Sequence, residues 1–291
     1  MSSDPARNAS DEAGMKTGRI LPTRLVEKVW GREILPAPFA APTDARIGEI
    51  WFEPPPELDD LLVKYLFTSE KLSVQVHPSD TNALPSEAGK EECWLVLDAE
   101  PGAKLAIGFN EEFAPGQIET AARDGSIEDL LTWHDVSVGD IYYLPAGTVH
   151  AIGPGLALLE VQQNSDTTFR LYDYGRPREL HLERAMAVAD CGPYGDGHKG
   201  TIAACGQTLV DGKHFRMDRI EGSPDASVAR QYQGGLLALP LEGEIRLNQL
   251  SGKCDQIQAG PGECLFAPCL DAVDFTHARV TLLTRPHQSA S

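Results

Sequence analysis

The chain has 291 residues, 42% of them apolar, and its 43 acidic and 25 basic side chains give a formal charge of −18. Such a field repels nucleic acid and anionic lipid, and no apolar run approaches the roughly 18 residues of a membrane helix. The length suits one large domain or two of ordinary size.

Residues 1–18, MSSDPARNASDEAGMKTG, are polar and small and hold no apolar signal-peptide core. They are expected to form a mobile tail, and the address to be the cytoplasm. Beyond them, short runs rich in β-branched and aromatic residues alternate with Gly, Pro and Asp. LLVKYLF (61–67), CWLVLDA (93–99), DIYYLP (140–145), LALLEVQQ (156–163), GGLLALPLEGEIRLNQL (234–250) and ECLFAP (263–268) read as strands of an all-β sandwich or barrel. Helical spacing of Ile127, Leu130, Leu131 and His134 predicts a helix over 127–134, and HLERAMAVAD predicts another over 181–190. The six cysteines form no CxxC pair, which favours reduced, buried thiols.

An internal repeat organises the chain. VGDIYYLPAGTVH (138–150) and PGECLFAPCLDAV (261–273) align without a gap, so that Gly139 meets Gly262, Asp140 meets Glu263, Pro145 meets Pro268 and His150 meets Val273. A strand, Gly-containing turn and strand precede each copy. Two tandem β-units are therefore expected, over 19–190 and 195–291. The second has lost its histidine, so the chemistry belongs to the first.

In the first unit, Gln75 and His77 lie two apart in LSVQVHPSD and would share one strand face. Glu92 opens the strand CWLVLD, and His150 ends the first repeat copy. Two imidazoles, a carboxylate and an amide oxygen suit zinc or another borderline divalent ion, and a barrel interior would bring their strands together. Arg170 follows in EVQQNSDTTFRLYDYGR (160–176). It suits a phosphate or carboxylate, or else a salt bridge with a neighbouring Asp.

With LSVQVHPSD, GKEECWLVLDAEPGA, LPAGTVHAIGPGLALLEVQQNSDTTFRLYDYGR and KVWGREIL in this order, the chain resembles the type I phosphomannose isomerases, in their short bacterial form, from about Arg24 to about Glu183. The resemblance implies two tandem cupin-type, jelly-roll β-barrel units with a few short helices, the second degenerate. It implies one divalent metal, usually zinc, on Gln75, His77, Glu92 and His150. It further implies interconversion of mannose 6-phosphate and fructose 6-phosphate through an enediol, with Arg170 catalytic, Lys90 near the active site and Ser73 associated with the substrate phosphate. Lys90 is a candidate for proton transfer or phosphate contact, while His77, Glu160 and Asp173 are candidate acids for ring opening. The expected partner is a small sugar phosphate, with no nucleic acid or membrane, for a monomer or small homo-oligomer. Two features depart from the family: Arg32 follows Trp30-Gly31 where a second glycine is usual, and the large helical insertion is missing. Rival classes are an iron cupin that oxidises a small substrate and a non-catalytic sugar-phosphate-binding relative.

Overall fold

The structure, a computed structural model, describes residues 17–202, 207–248 and 257–287. Residues 1–16 of the expected tail, together with Cys205 and Cys254, lie outside the described residues; Cys93, Cys191, Cys264 and Cys269 are free thiols. The fold is mainly β, in a jelly-roll arrangement of separate open sheets rather than closed barrels. Among the described residues no helix is long and apolar enough to cross a membrane.

The chain divides into two compact units. One comprises Thr23–Trp51 and Leu61–Ile202; the other comprises Phe52–Asp60 and the described parts of Met1–Pro22 and Ala203–Ser291. The first strand, β1 (Arg19–Ile20), belongs to the C-terminal unit, where it pairs with a strand at Leu265–Ala267. The larger unit contributes β2 (Thr23–Arg32), β3 (Ile47–Phe52), β4 (Leu61–Phe67), β5 (Val74–Val76), β6 (Glu92–Ala99), β7 (Lys104–Phe109), β8 (Leu131–Asp135), β9 (Asp140–Leu144), β10 (His150–Ile152), β11 (Leu156–Gln163), β12 (Phe169–Tyr172) and β13 (Lys199–Thr201). These form a seven-stranded sheet, β13-β9-β6-β11-β4-β3-β2, and a five-stranded sheet, β12-β5-β10-β7-β8.

Side-chain alternation sorts this unit into two cores. Val74, Val76, Val149, Ala151, Phe169 and Leu171 face the helices α1 (Pro115–Asp124) and α2 (Ile127–Leu130), packing on Ile118, Ala121 and Ile127. The opposite parity faces inward. Leu66, Trp94, Val96, Leu105, Ile152 and Leu158 form an apolar interior. Continuing along the same inward stripes, the residues turn polar: Lys64 on β4, Glu92 on β6, Glu160 and Gln162 on β11, and His150 on β10 are all buried. Period-2 alternation thus carries a polar cluster into one end of an otherwise apolar interior.

The expected helix over 127–134 ends at Leu130, and Leu131–Asp135 instead forms β8 against β7. Leu131 and Trp133 pack into the helix-side core at strand parity, and pairing with β7 satisfies the backbone that a helix would have satisfied internally. The ten-residue α1 was not expected from periodicity. Its punctuation was present, with Pro115 in the first turn and left-handed Gly125 (φ 88°) as its stop. The helix expected over 181–190 is α3 (Leu182–Val188).

The C-terminal unit adds β14 (Gln207–Asp211), β15 (Phe215–Glu221), β16 (Leu236–Gly243), β17 (Ile245–Leu247), β18 (Ile257–Ala259), β19 (Leu265–Ala267), β20 (Val273–Asp274) and β21 (Ala278–Pro286). Its sheets run β1-β19-β16-β21-β15-β14 and β18-β17-β20. The order β19-β16-β21-β15-β14 repeats β9-β6-β11-β4-β3, and β18-β17-β20 repeats β8-β7-β10.

Candidate metal centre

Six strands converge on the polar end of the interior. His150 on β10 lies opposite Gln75 on β5, Gln75 lies opposite Arg170 on β12, and Glu160 on β11 lies between Trp94 on β6 and Lys64 on β4. Directly opposed residues share a face, so register groups these side chains on one face of each sheet, and the contacts of His150 with Glu92 at 3.3 Å and with Trp94 bring the two faces together.

At its centre, His77, Glu92 and His150 bring potential ligand atoms within 4.8 Å of one another. His77 Nε2 is 3.5 Å from Glu92 Oε2, and His150 Nε2 is 3.3 Å from Glu92 Oε1. The far nitrogen of each ring is anchored on the backbone: His77 Nδ1 donates to Thr167 O at 2.8 Å, and His150 Nδ1 donates to Thr148 O at 2.9 Å. A carbonyl only accepts, so these bonds fix the tautomer with the proton on Nδ1. Burial, then Lys90 and His150, pushes His77 well below the usual histidine range; burial also lowers His150, although Glu92 works the other way. Both rings are therefore neutral at pH 7, with bare Nε2 lone pairs aimed at a carboxylate. Burial favours a protonated Glu92, but Lys90 and His150 outweigh it, so its pKa is lowered. Apart from the Lys90 ammonium at 2.9 Å, neither buried Glu92 oxygen has a hydrogen-bond donor among the described residues. Converging lone pairs of this kind repel unless a cation lies among them. Two neutral imidazoles and a carboxylate are a donor set that fits zinc.

Lys90 supplies one cation. Its Nζ lies 2.9 Å from Glu92 Oε2, 3.2 Å from His77 Nε2 and 4.0 Å from Glu160 Oε1. Gln75 sits in the wall with Nε2 at 3.2 Å from His150 Nε2 and Oε1 accepting from Ser73 Oγ at 3.1 Å. As placed, its carboxamide meets the imidazole lone pair with a donor rather than with its oxygen. Ser73 is buried on the same strand face.

Arg170 lies on the strand face opposite to Phe169 and Leu171, with its Nε buried and, among the described residues, without a hydrogen-bond partner. The alternative of a salt bridge to Asp173 is not what the structure shows. Asp173 is held by Arg178 at 2.6 Å and by Arg176 at 3.2 Å. Burial, then Arg178, lowers the pKa of Arg170, which keeps its charge at any working pH. Arg32 bonds Thr68 O at 3.0 Å and lies 3.5 Å from Glu100. It therefore sits by the Ala99 end of β6, away from Glu92, and belongs to the turn rather than to the centre. A cleft of ≈ 490 Å³ opens nearby. Its lining includes Thr167, whose carbonyl anchors His77, but none of the three clustered side chains.

Two inward residues escaped the sequence reading. Lys64 is the single charged residue in LLVKYLF, and Trp94 follows Glu92 by two; Glu160 was seen only as a candidate acid. A lone lysine in an otherwise apolar strand was the available signal.

No protein-family model matches the chain. It is 38% identical over 200 residues to mannose-6-phosphate isomerase ManA of Bacillus subtilis, covering 64% of this chain and 63% of that protein. It is 34% identical over 222 residues to the probable mannose-6-phosphate isomerase GmuF of the same organism, covering 71% and 70%. The chain thus spans 63% of the length of the first relative. The crystal structure of the mannose 6-phosphate isomerase from Bacillus subtilis superposes with a TM-score of 0.74 at 25% identity, over 93% of this chain and 100% of that one. A zinc-bound mannose 6-phosphate isomerase shares the fold at a TM-score of 0.68 and 15% identity, over 93% and 100%. The chain belongs to the mannose-6-phosphate isomerase family.

Proposed function

We propose that the protein is a zinc-dependent aldose–ketose isomerase that interconverts mannose 6-phosphate and fructose 6-phosphate through an enediol. The observation that carries this is the buried convergence of His77 Nε2, His150 Nε2 and the Glu92 carboxylate, with both imidazoles locked as neutral donors. These three hold the metal, with Gln75 the adjoining fourth donor. When bound, zinc supplies Lewis acidity toward substrate oxygens, worth several kcal/mol at a developing oxyanion.

The remaining chemistry belongs to the chain's own side chains. A proton leaves C2 of the aldose and returns to C1 of the ketose, so a proton carrier must stand beside the sugar. Lys90 is assigned that transfer as its neutral amine, which takes the proton from C2 and, as the ammonium so formed, delivers it to C1; its Nζ already touches two members of the centre. Arg170, with its free Nε, binds an anionic oxygen of the substrate, either the enediolate or the phosphate. Ser73 lies on the same strand face as Gln75 and is assigned to the phosphate end. The sugar phosphate is the only partner this scheme requires.

A coupled assay with mannose 6-phosphate on zinc-loaded protein tests this function. Turnover should vanish on chelation and return with zinc. Zinc-loaded protein that converts neither sugar phosphate would sink the proposal.

A further inference from the structure

Lys64 is buried on β4, outside every motif that carries the chemistry, yet it stands directly across the sheet from Glu160. Its Nζ lies 2.8 Å from Glu160 Oε1. The other oxygen of Glu160 accepts from Trp94 Nε1 at 2.9 Å. From Glu160 two routes reach the metal centre. Trp94 packs edge-on against the His150 ring, with centroids 5.2 Å apart at 80°. Lys90, 4.0 Å from Glu160, contacts Glu92 and His77.

The outer side of Lys64 is equally fixed. Its ammonium lies 5.3 Å from the centroid of Trp51, whose Nε1 donates to Glu49 Oε2 at 2.7 Å. Lys28 reaches the same Glu49 oxygen at 3.4 Å from the half-buried surface. Burial works against the Lys64 charge, but Glu160 and Glu49 outweigh it and raise its pKa. Lys64 is therefore a cation held directly by Glu160, with Glu49 as a second acid nearby beside Trp51.

We propose that Lys64 is a positioning residue: through Glu160 it sets the orientation of Trp94 and Lys90, and thereby the placement of the ligands His150 and Glu92. The inference rests on the metal centre of the proposed function but not on the identity of the sugar. Partners standing behind metal ligands commonly change metal affinity by about ten- to hundred-fold when removed, and the same is expected here. An ordinary structural ion pair would alter stability and leave the metal untouched.

The test uses the full-length protein, loaded with zinc or with cobalt(II) as a spectroscopic probe. Lys64→Met should bind one metal ion with at least about tenfold weaker zinc affinity and displaced cobalt d–d bands. Its kcat should fall while KM changes little. Because Lys64→Met leaves Glu160 buried without its cation, Lys64→Met/Glu160→Gln removes both charges and serves as the companion if the single variant does not fold. Altered cobalt bands and weakened zinc binding in whichever variant folds support the proposal. Parental bands and parental zinc affinity in that variant overturn it, whatever happens to the melting temperature. Should the parent protein fail to isomerise mannose 6-phosphate, the proposed function falls while the spectral comparison still decides the role of Lys64.

Discussion

The two β-units place opposite chemistry at equivalent points of one strand plan. Glu92 pairs with Leu144 as Leu236 pairs with Ala267, and His150 pairs with Ile107 as Val273 pairs with Leu247. Glu160 lies opposite Trp94 and Lys64, as Leu283 lies opposite Ala238 and Asp218. Where the first unit has a carboxylate, an imidazole and a second carboxylate, the second has Leu236, Val273 and Leu283 in a single apolar core. The jelly-roll plan therefore forms without polar residues at these three positions, although the second unit keeps one fully buried carboxylate, Asp218, held by Arg216 at 2.6 Å and by Tyr232 at 2.8 Å. The first unit instead carries several buried charges, which cost desolvation and persist only because they are paired. What separates the units is the grouping of two imidazoles with a carboxylate in the first, not the presence of a buried charge as such.

The largest effects should follow from removing a ligand in the first unit. His150→Ala is expected to lose tightly bound zinc and all measurable turnover, as read by metal analysis and the coupled assay. Arg170→Ala should keep one zinc per chain and its unfolding midpoint while losing turnover by orders of magnitude. If the Arg170 variant unfolds instead, the residue is structural.

The reciprocal experiment introduces charge into the second unit. Leu236→Glu places a carboxylate where the parent has a fully buried leucine, without the ammonium that accompanies Glu92. We expect a loss of at least about 3 kcal/mol by urea unfolding, the penalty of an unpaired buried charge. Leu236→Glu/Val273→His should recover little of this and bind no zinc tightly, because the third donor, His77, has no counterpart there. Tight zinc binding by that double variant would show that strand placement alone makes the site.

Much of this contrast is visible in the sequence, and the reason is geometric. The β4 and β11 boundaries coincide with the expected 61–67 and 156–163 because both runs are largely apolar and every residue in them is buried. Gly139 and Gly262 take φ values of 90° and 89°, so the repeat is one turn made twice. Helical spacing misled at Leu131–Asp135, where residues two and four apart satisfy a strand as well as a helix. Lys64 escaped notice because its partner, Glu160, lies on a strand 96 residues away. Local pattern gives the face on which a side chain lies; only register gives its partner.

A pH experiment sharpens the comparison. His77 and His150 have folded-state pKa values depressed by burial, so the unfolded chain binds protons that the native metal-free protein refuses. Stability is then present above the unfolded histidine pKa of about 6.5 and is lost as pH falls below it. Each ring contributes up to about 1.4 kcal/mol per pH unit over that descent. The unfolding midpoint of the metal-free protein should drop between pH 7.5 and pH 5.5. His134 and His181 are also lowered by burial, so the informative quantity is the difference from His77→Gln/His150→Val. An identical slope in that variant would remove the two ligands from the account.

The smallest effect tests what the units share. In the first, Asp140 Oδ2 accepts from Ser137 N at 2.8 Å; in the second, Glu263 Oε2 accepts from Gly260 N at 2.8 Å. In both, an acid caps the backbone of the turn three residues upstream, ahead of the glycine-led strand. Asp140→Ala and Glu263→Ala should each cost about 0.5–1.5 kcal/mol, the net value of one hydrogen bond. Asp140 should stand at the upper end, because its other oxygen also accepts from Thr201 Oγ1 at 2.7 Å. Neither change should alter zinc affinity. Asp140 opens β9, whereas Leu144, the residue paired with Glu92, closes it. A shift in zinc affinity for Asp140→Ala would mean that β9 transmits strain along its length, and that turn and centre are not the independent layers the second unit makes them out to be.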